Sequence, residues 1–169
     1  QEIWAFDLGY LTYTPTQYWN GDAILGWNGS DGQDWALTGA VVTVTILPVN
    51  DSPSFIKGAN KGARVGSGVF TATNWATNIS AGPANESGQV LTFTLTVSNS
   101  ALLAGQPVIN TATGDLVFTP SAHVWGSSIV TVTLHDSGGT ANGGVDVSPP
   151  QTFTITVIPY TVYLPLVLK

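Results

Sequence analysis

Apolar and polar residues alternate one for one wherever a run is long enough to show a period: VVTVTI (41–46), VLTFTLTV (90–97), IVTVTL (129–134) and TFTITVI (152–158). In an extended chain this puts β-branched or aromatic side chains on one face and Thr on the other, the pattern of a half-buried strand. No stretch of comparable length has a helical period. The segments between the runs, NGSDGQ, VNDSPS and DSGGTANGG, carry turn chemistry rather than linker composition. The expectation is an all-β fold.

An internal repeat organises these strands. In LTYTPTQYWNGDAILGWNGSDG (11–32), the residues Leu11, Thr14, Pro15, Trp19, Gly21, Ile24 and Asp31 fall on Leu116, Thr119, Pro120, Val124, Gly126, Ile129 and Asp136 of LVFTPSAHVWGSSIVTVTLHDSG (116–138). After an insertion in the second copy, VTVTILPVND (42–51) matches FTITVIPYTV (153–162). Residues 50–115, which supply the earlier strands of the second copy, have no counterpart ahead of the first. The organisation expected is an incomplete half-module over 1–48, a complete β-sandwich over 49–160, and a separate terminal segment over 161–169. A few strands with one apolar face cannot close a core, so the half-module needs strands from elsewhere.

The terminal TVYLPLVLK stands where the first strand of a third module would begin, and it is apolar on both faces. Donor residues Val162, Leu164, Leu166 and Leu168 are expected to enter the half-module of a second copy, whose acceptor core would be Trp4, Phe6, Ile24, Val42, Val44 and Ile46. Such strand addition joins unlike surfaces head to tail and therefore propagates as a homopolymer. Two simpler readings stay open: the tail folds back on its own module as an edge strand marked by Pro165, or the chain is a piece of a longer repeat protein.

Composition narrows the partners. Of 169 residues, 8% are charged and 43% hydrophobic, so Thr, Ser, Asn and Gly must clothe the surface. A net charge of -6 with only four Lys plus Arg leaves no basic patch for nucleic acid. The absence of Cys removes disulfides and thiolate metal sites, and no run is long and apolar enough for a membrane span. The uncharged, Thr-rich composition points to an extracellular or cell-surface address. Four Asn-x-Ser sequons, at Asn28, Asn50, Asn78 and Asn85, are compatible with it, although in such an Asn- and Ser-rich chain chance is the favoured explanation.

The complete copy resembles the cadherin-like, immunoglobulin-type tandem repeats of large bacterial surface proteins and adhesins. The resemblance rests on ILPVNDSPSFIKGAN (46–60), NWATNISAGPANESGQVLTFTLTV (74–97), GDLVFTPSA (114–122) and VTLHDSGGTANGGVDVSPPQTFTITV (132–157). It implies a Greek-key β-sandwich in an extracellular, structural or adhesive role and no enzymatic activity. It also implies calcium at module junctions, where Asp31, Asn50, Asp51 and Asp136 are the candidate oxygen ligands. KGARVGSG (61–68) places basic and small residues where such repeats carry an acidic pair. An Asx-turn before Pro53 competes with the metal reading of VNDSP and is favoured over it. Apart from this calcium site, no cofactor is expected.

No catalytic constellation stands out. His135 and Asp136 are sequence neighbours and so face opposite sides of a strand, and no nucleophile elbow or phosphate loop is present. Aromatic residues crowd the first 35 positions, among them Trp19, Trp27 and Trp35. They suit either a half-sandwich core and interface, the favoured reading with Trp125 as its counterpart, or a glycan-stacking surface. The expected function is a structural subunit of an extracellular filament, joined by donated strands. The alternative is a repeat segment of an adhesin that binds glycan or another cell surface.

Overall fold

The structure, a computed structural model, describes residues 10–160. The chain divides into two compact units that part between Val49 and Asn50. All regular structure among the described residues is strand, apart from short 3-10 turns.

The N-terminal unit contains one hairpin, β1 (Gly21–Trp27) and β2 (Ala40–Ile46), paired antiparallel with Gly21 opposite Ile46 and Trp27 opposite Ala40. Cross-strand partners share a face, so Ala23, Leu25 and Trp27 stand with Val42, Val44 and Ile46, while Asp22 and Ile24 stand with Thr45 and Thr43. On the polar face the Thr45 hydroxyl donates to the Asp22 carboxylate at 2.7 Å.

The second unit is a β-sandwich. One sheet has the order β4 (Lys61–Arg64), β11 (Gln151–Ile158), β10 (Gly126–His135), β7 (Thr92–Val97), with β4 parallel to β11 and the other pairs antiparallel. The opposing strands are β3 (Ser54–Ile56) with β6 (Thr77–Ser80), and β5 (Phe70–Ala72), β9 (Leu116–Phe118), β8 (Val108–Ile109) in that spatial order. The alternation read from sequence is realised directly. Val130, Val132 and Leu134 of β10 and Phe153, Ile155 and Val157 of β11 are buried, while Thr131 lies between Thr96 and Thr152 on the outer face. These buried rows meet Leu102, Leu116 and Phe118 in one core, where the burial of apolar area supplies the main stabilisation.

Aromatic contacts join the layers. Phe55 meets Phe93 edge-on, with centroids 5.1 Å apart, and Trp75 tilts against Phe153 at 4.5 Å. The Trp75 indole N–H is satisfied by the Ala59 carbonyl at 2.8 Å, as a buried polar group requires. Gly58 makes room for this ring: a Cβ there would lie 2.6 Å from Trp75 Cδ1.

Candidate functional site

The hairpin of the first unit reproduces part of the second. Through the sequence repeat, Gly21 and Ile46 correspond to Gly126 and Val157, and both pairs are opposite one another. β1 and β2 are therefore the counterparts of β10 and β11 in the same register. In the complete module β7 flanks β10 and β4 flanks β11. The only strand pairing of the hairpin among the described residues is its own.

The apolar face of the hairpin also differs from its counterpart, which the opposing layer covers. Val130, Val132 and Phe153 are 0%, 0% and 3% exposed, whereas their counterparts Leu25, Trp27 and Val42 are 44%, 54% and 48% exposed. Val44 and Ile46 are half-buried. Ile24 is 70% exposed and lies on the opposite face from Val42, Val44 and Ile46, just as its counterpart Ile129 points outward in the complete module. Leu25 holds the place on the apolar face that the sequence reading gave to Ile24. Adjacent Ile24 and Leu25 are both apolar, so period two alone does not choose between them. Trp4 and Phe6, and the donor residues Val162, Leu164, Leu166 and Leu168, lie outside the described residues.

The tryptophans in and around β1 do not form a core. Trp19, Trp27 and Trp35 are exposed, as is Trp125, the counterpart on which the core reading rests; among the described residues the buried tryptophan is Trp75. A structured loop carries Trp35. The Asn28 amide donates to the Ala36 carbonyl at 3.0 Å, Ala36 N–H donates to Gly29, and Ser30 bridges to Trp35. Asp31 Oδ1 caps the enclosed turn by accepting from the N–H groups of Gln33 and Asp34 at 2.9 and 3.0 Å. The Asp34 and Gln33 amides hold the exposed Asp31 carboxyl below its ordinary pKa.

The remaining candidate metal ligands gather at one end of the sandwich. Asn50 Nδ2 donates to Asp136 Oδ1 at 2.9 Å and to the Val145 carbonyl at 2.8 Å, and Asn50 Oδ1 accepts from Gln89 Nε2 at 2.7 Å. The Asp51 N–H lies within 3.1 and 3.3 Å of the two carboxylate oxygens of buried Glu86. Gln89 and Glu86 were not singled out in sequence; the NESGQ turn that bears them carries no local signal of a partnership with Asn50. Asp31 belongs to the other unit and is occupied with its own turn. No cluster of three or more His, Cys, Asp or Glu side chains suited to a metal occurs among the described residues. His135 meets the Thr133 hydroxyl at 3.3 Å, an arrangement with no nucleophile-base geometry.

No family model and no curated protein matches the chain. Among solved structures it is similar to a human mucin-like protocadherin EC1-2 crystal structure, with a TM-score of 0.51 and 14% identity. The match covers 89% of this chain and 74% of that one. At this identity the likeness concerns the fold alone, which is cadherin-like.

Proposed function

We propose that this cadherin-like chain is a non-enzymatic, extracellular adhesion-type protein that polymerises head to tail. Residues 161–168 of one copy add to the N-terminal hairpin of the next. Val162, Leu164, Leu166 and Leu168 cover the face formed by Leu25, Val42, Val44 and Ile46, together with Trp4 and Phe6. One observation carries this reading: the side chains that the second unit seals completely stand open on the equivalent hairpin. An isolated two-stranded hairpin is marginal in water, and an added strand supplies main-chain hydrogen bonds and apolar contact together. The Thr-clad, weakly charged surface supports the extracellular assignment. Among the described residues no helix is long and apolar enough to cross a membrane.

The test is negative-stain microscopy with light scattering on the full chain, a chain lacking 161–169, and the substitutions Leu25→Lys and Ile24→Lys. Filaments are expected from the full chain and Ile24→Lys, and none from the other two. Filaments from the truncated chain, or identical behaviour of the two Lys variants, would sink the proposal.

The second reading, glycan binding, has its own support in the exposed Trp27 and Trp35 at the ends of a hydrogen-bonded loop. Ring faces held in that way suit stacking on pyranose rings. Oligosaccharide-dependent protection of tryptophan from acrylamide quenching, lost in Trp35→Ala, is the result that favours it.

A further inference from the structure

Calcium is the ion that the cadherin-like fold brings into question, and the polar cluster at the Asn50 end of the sandwich does not fit it. Calcium takes roughly six to eight oxygen ligands. Here amide N–H groups occupy the middle of the cluster. Asn50 Nδ2 is directed at Asp136 Oδ1 and the Val145 carbonyl, and Gln89 Nε2 at Asn50 Oδ1. A cation seated against those oxygens would meet amide hydrogens. Among the described residues the buried side-chain oxygens left without a partner are Asp136 Oδ2 and Gln89 Oε1, too few for a shell.

The backbone is shaped around the amide. A Cβ on Gly138 would collide with Asn50 Oδ1, and one on Gly144 would lie 2.9 Å from Asn50 Cβ. Gly138 N–H also donates to Asp136 Oδ1 at 2.9 Å, and Val145 N–H donates to the Asn50 carbonyl at 3.0 Å. Asn50 thus holds three segments that are distant in sequence: the module's first residues, the turn bearing Gln89, and the Asp136–Val145 loop.

We propose that the Asn50 side-chain amide does the bridging that a divalent cation would otherwise do, so that the end of this module is closed without calcium. The inference does not depend on polymerisation. A carboxylate at position 50 would turn the donor into an acceptor facing Asp136 and the Val145 carbonyl, and would make closure dependent on a cation.

Thermal melting of the full chain by circular dichroism, in chelator and in millimolar calcium chloride, tests this with Asn50→Ala, Asn50→Asp and Gln89→Ala. The wild-type Tm is expected to be the same in both buffers. Asn50→Ala loses about 5–10 °C in both, since several hydrogen bonds of about 1 kcal/mol each disappear. Asn50→Asp falls at least as far in chelator and recovers in calcium. Gln89→Ala falls less and stays insensitive to calcium. A wild-type Tm raised by calcium, an Asn50→Ala Tm equal to wild type, or an Asn50→Asp chain that calcium fails to restore overturns the proposal.

Discussion

Gly114→Ala is expected to be among the most damaging single-methyl additions to the sandwich. Gly114 sits in the turn from Asn110 to Asp115, at φ 71°, where an L side chain costs about 1 kcal/mol or somewhat more. The turn is fastened to the segment around Trp75: Gly114 N–H donates to the Asn110 carbonyl at 2.8 Å, Ala76 N–H to the Gly114 carbonyl at 2.9 Å, and Asn74 N–H to Asp115 Oδ1 at 2.9 Å. A Cβ on Gly114 collides with the carbonyl oxygen of Ala76. That oxygen belongs to the backbone beside buried Trp75, so it cannot swing aside as a flexible side chain would. Overpacking of this kind adds about 1–3 kcal/mol, for a total of about 2–4 kcal/mol. At about 4 °C per kcal/mol for a domain of this size, Tm should fall by about 8–16 °C.

Gly68→Ala separates the two contributions. Gly68 has φ 81° but nothing within 4 Å of an added Cβ, so only the backbone cost of about 1 kcal/mol, about 4 °C, applies. Calorimetry on both variants gives the comparison. Equal losses from the two would refute the collision argument, because both sites carry the positive-φ cost and only Gly114 has backbone in the way of the new methyl.

Two further outcomes follow from the same geometry. Trp75→Phe keeps the contact with Phe153 but leaves the Ala59 carbonyl without its indole donor, and chemical denaturation should show a loss of about 1–3 kcal/mol; an unchanged midpoint would mean that water or a shifted backbone satisfies that oxygen. Asp31, whose pKa is lowered by the Asp34 and Gln33 amides, contributes to its loop above the ordinary carboxylate value of 3.8 and loses that contribution as pH falls through its own lower pKa. The Gln33 and Asp34 amide resonances should therefore titrate with a midpoint below 3.8, and a midpoint at or above it would contradict the capping geometry.

Much of the sandwich was legible in the sequence because period two is a local property. A run such as IVTVTL carries its inward and outward rows whatever it packs against, and β10 buries Val130, Val132 and Leu134 accordingly. The repeat was legible for the same reason, and the shared register of β1–β2 and β10–β11 bears out the correspondence it implied. Where two apolar residues are adjacent, the local pattern is silent: Ile24 and Leu25 are equally hydrophobic, and pairing with Thr43 and Val42 decided which faces which way. The tryptophans show a second kind of silence. A large aromatic side chain favours burial, but whether it is buried depends on a covering layer, which Trp75 has within its module and Trp27 does not have among the described strands.

Asn50 marks the boundary most clearly. Its partners Asp136 and Gln89 lie 86 and 39 residues away, and no feature of VNDSP distinguishes a turn residue from one whose amide closes the end of a module. Chemistry of that kind arises only when segments distant in sequence meet. The alternation of side chains determined that this protein would build sheets and which rows of the sandwich strands share a face; the tertiary structure decided which rows are covered and which hydrogen-bonding groups meet, because both depend on distances across the fold that no short stretch encodes.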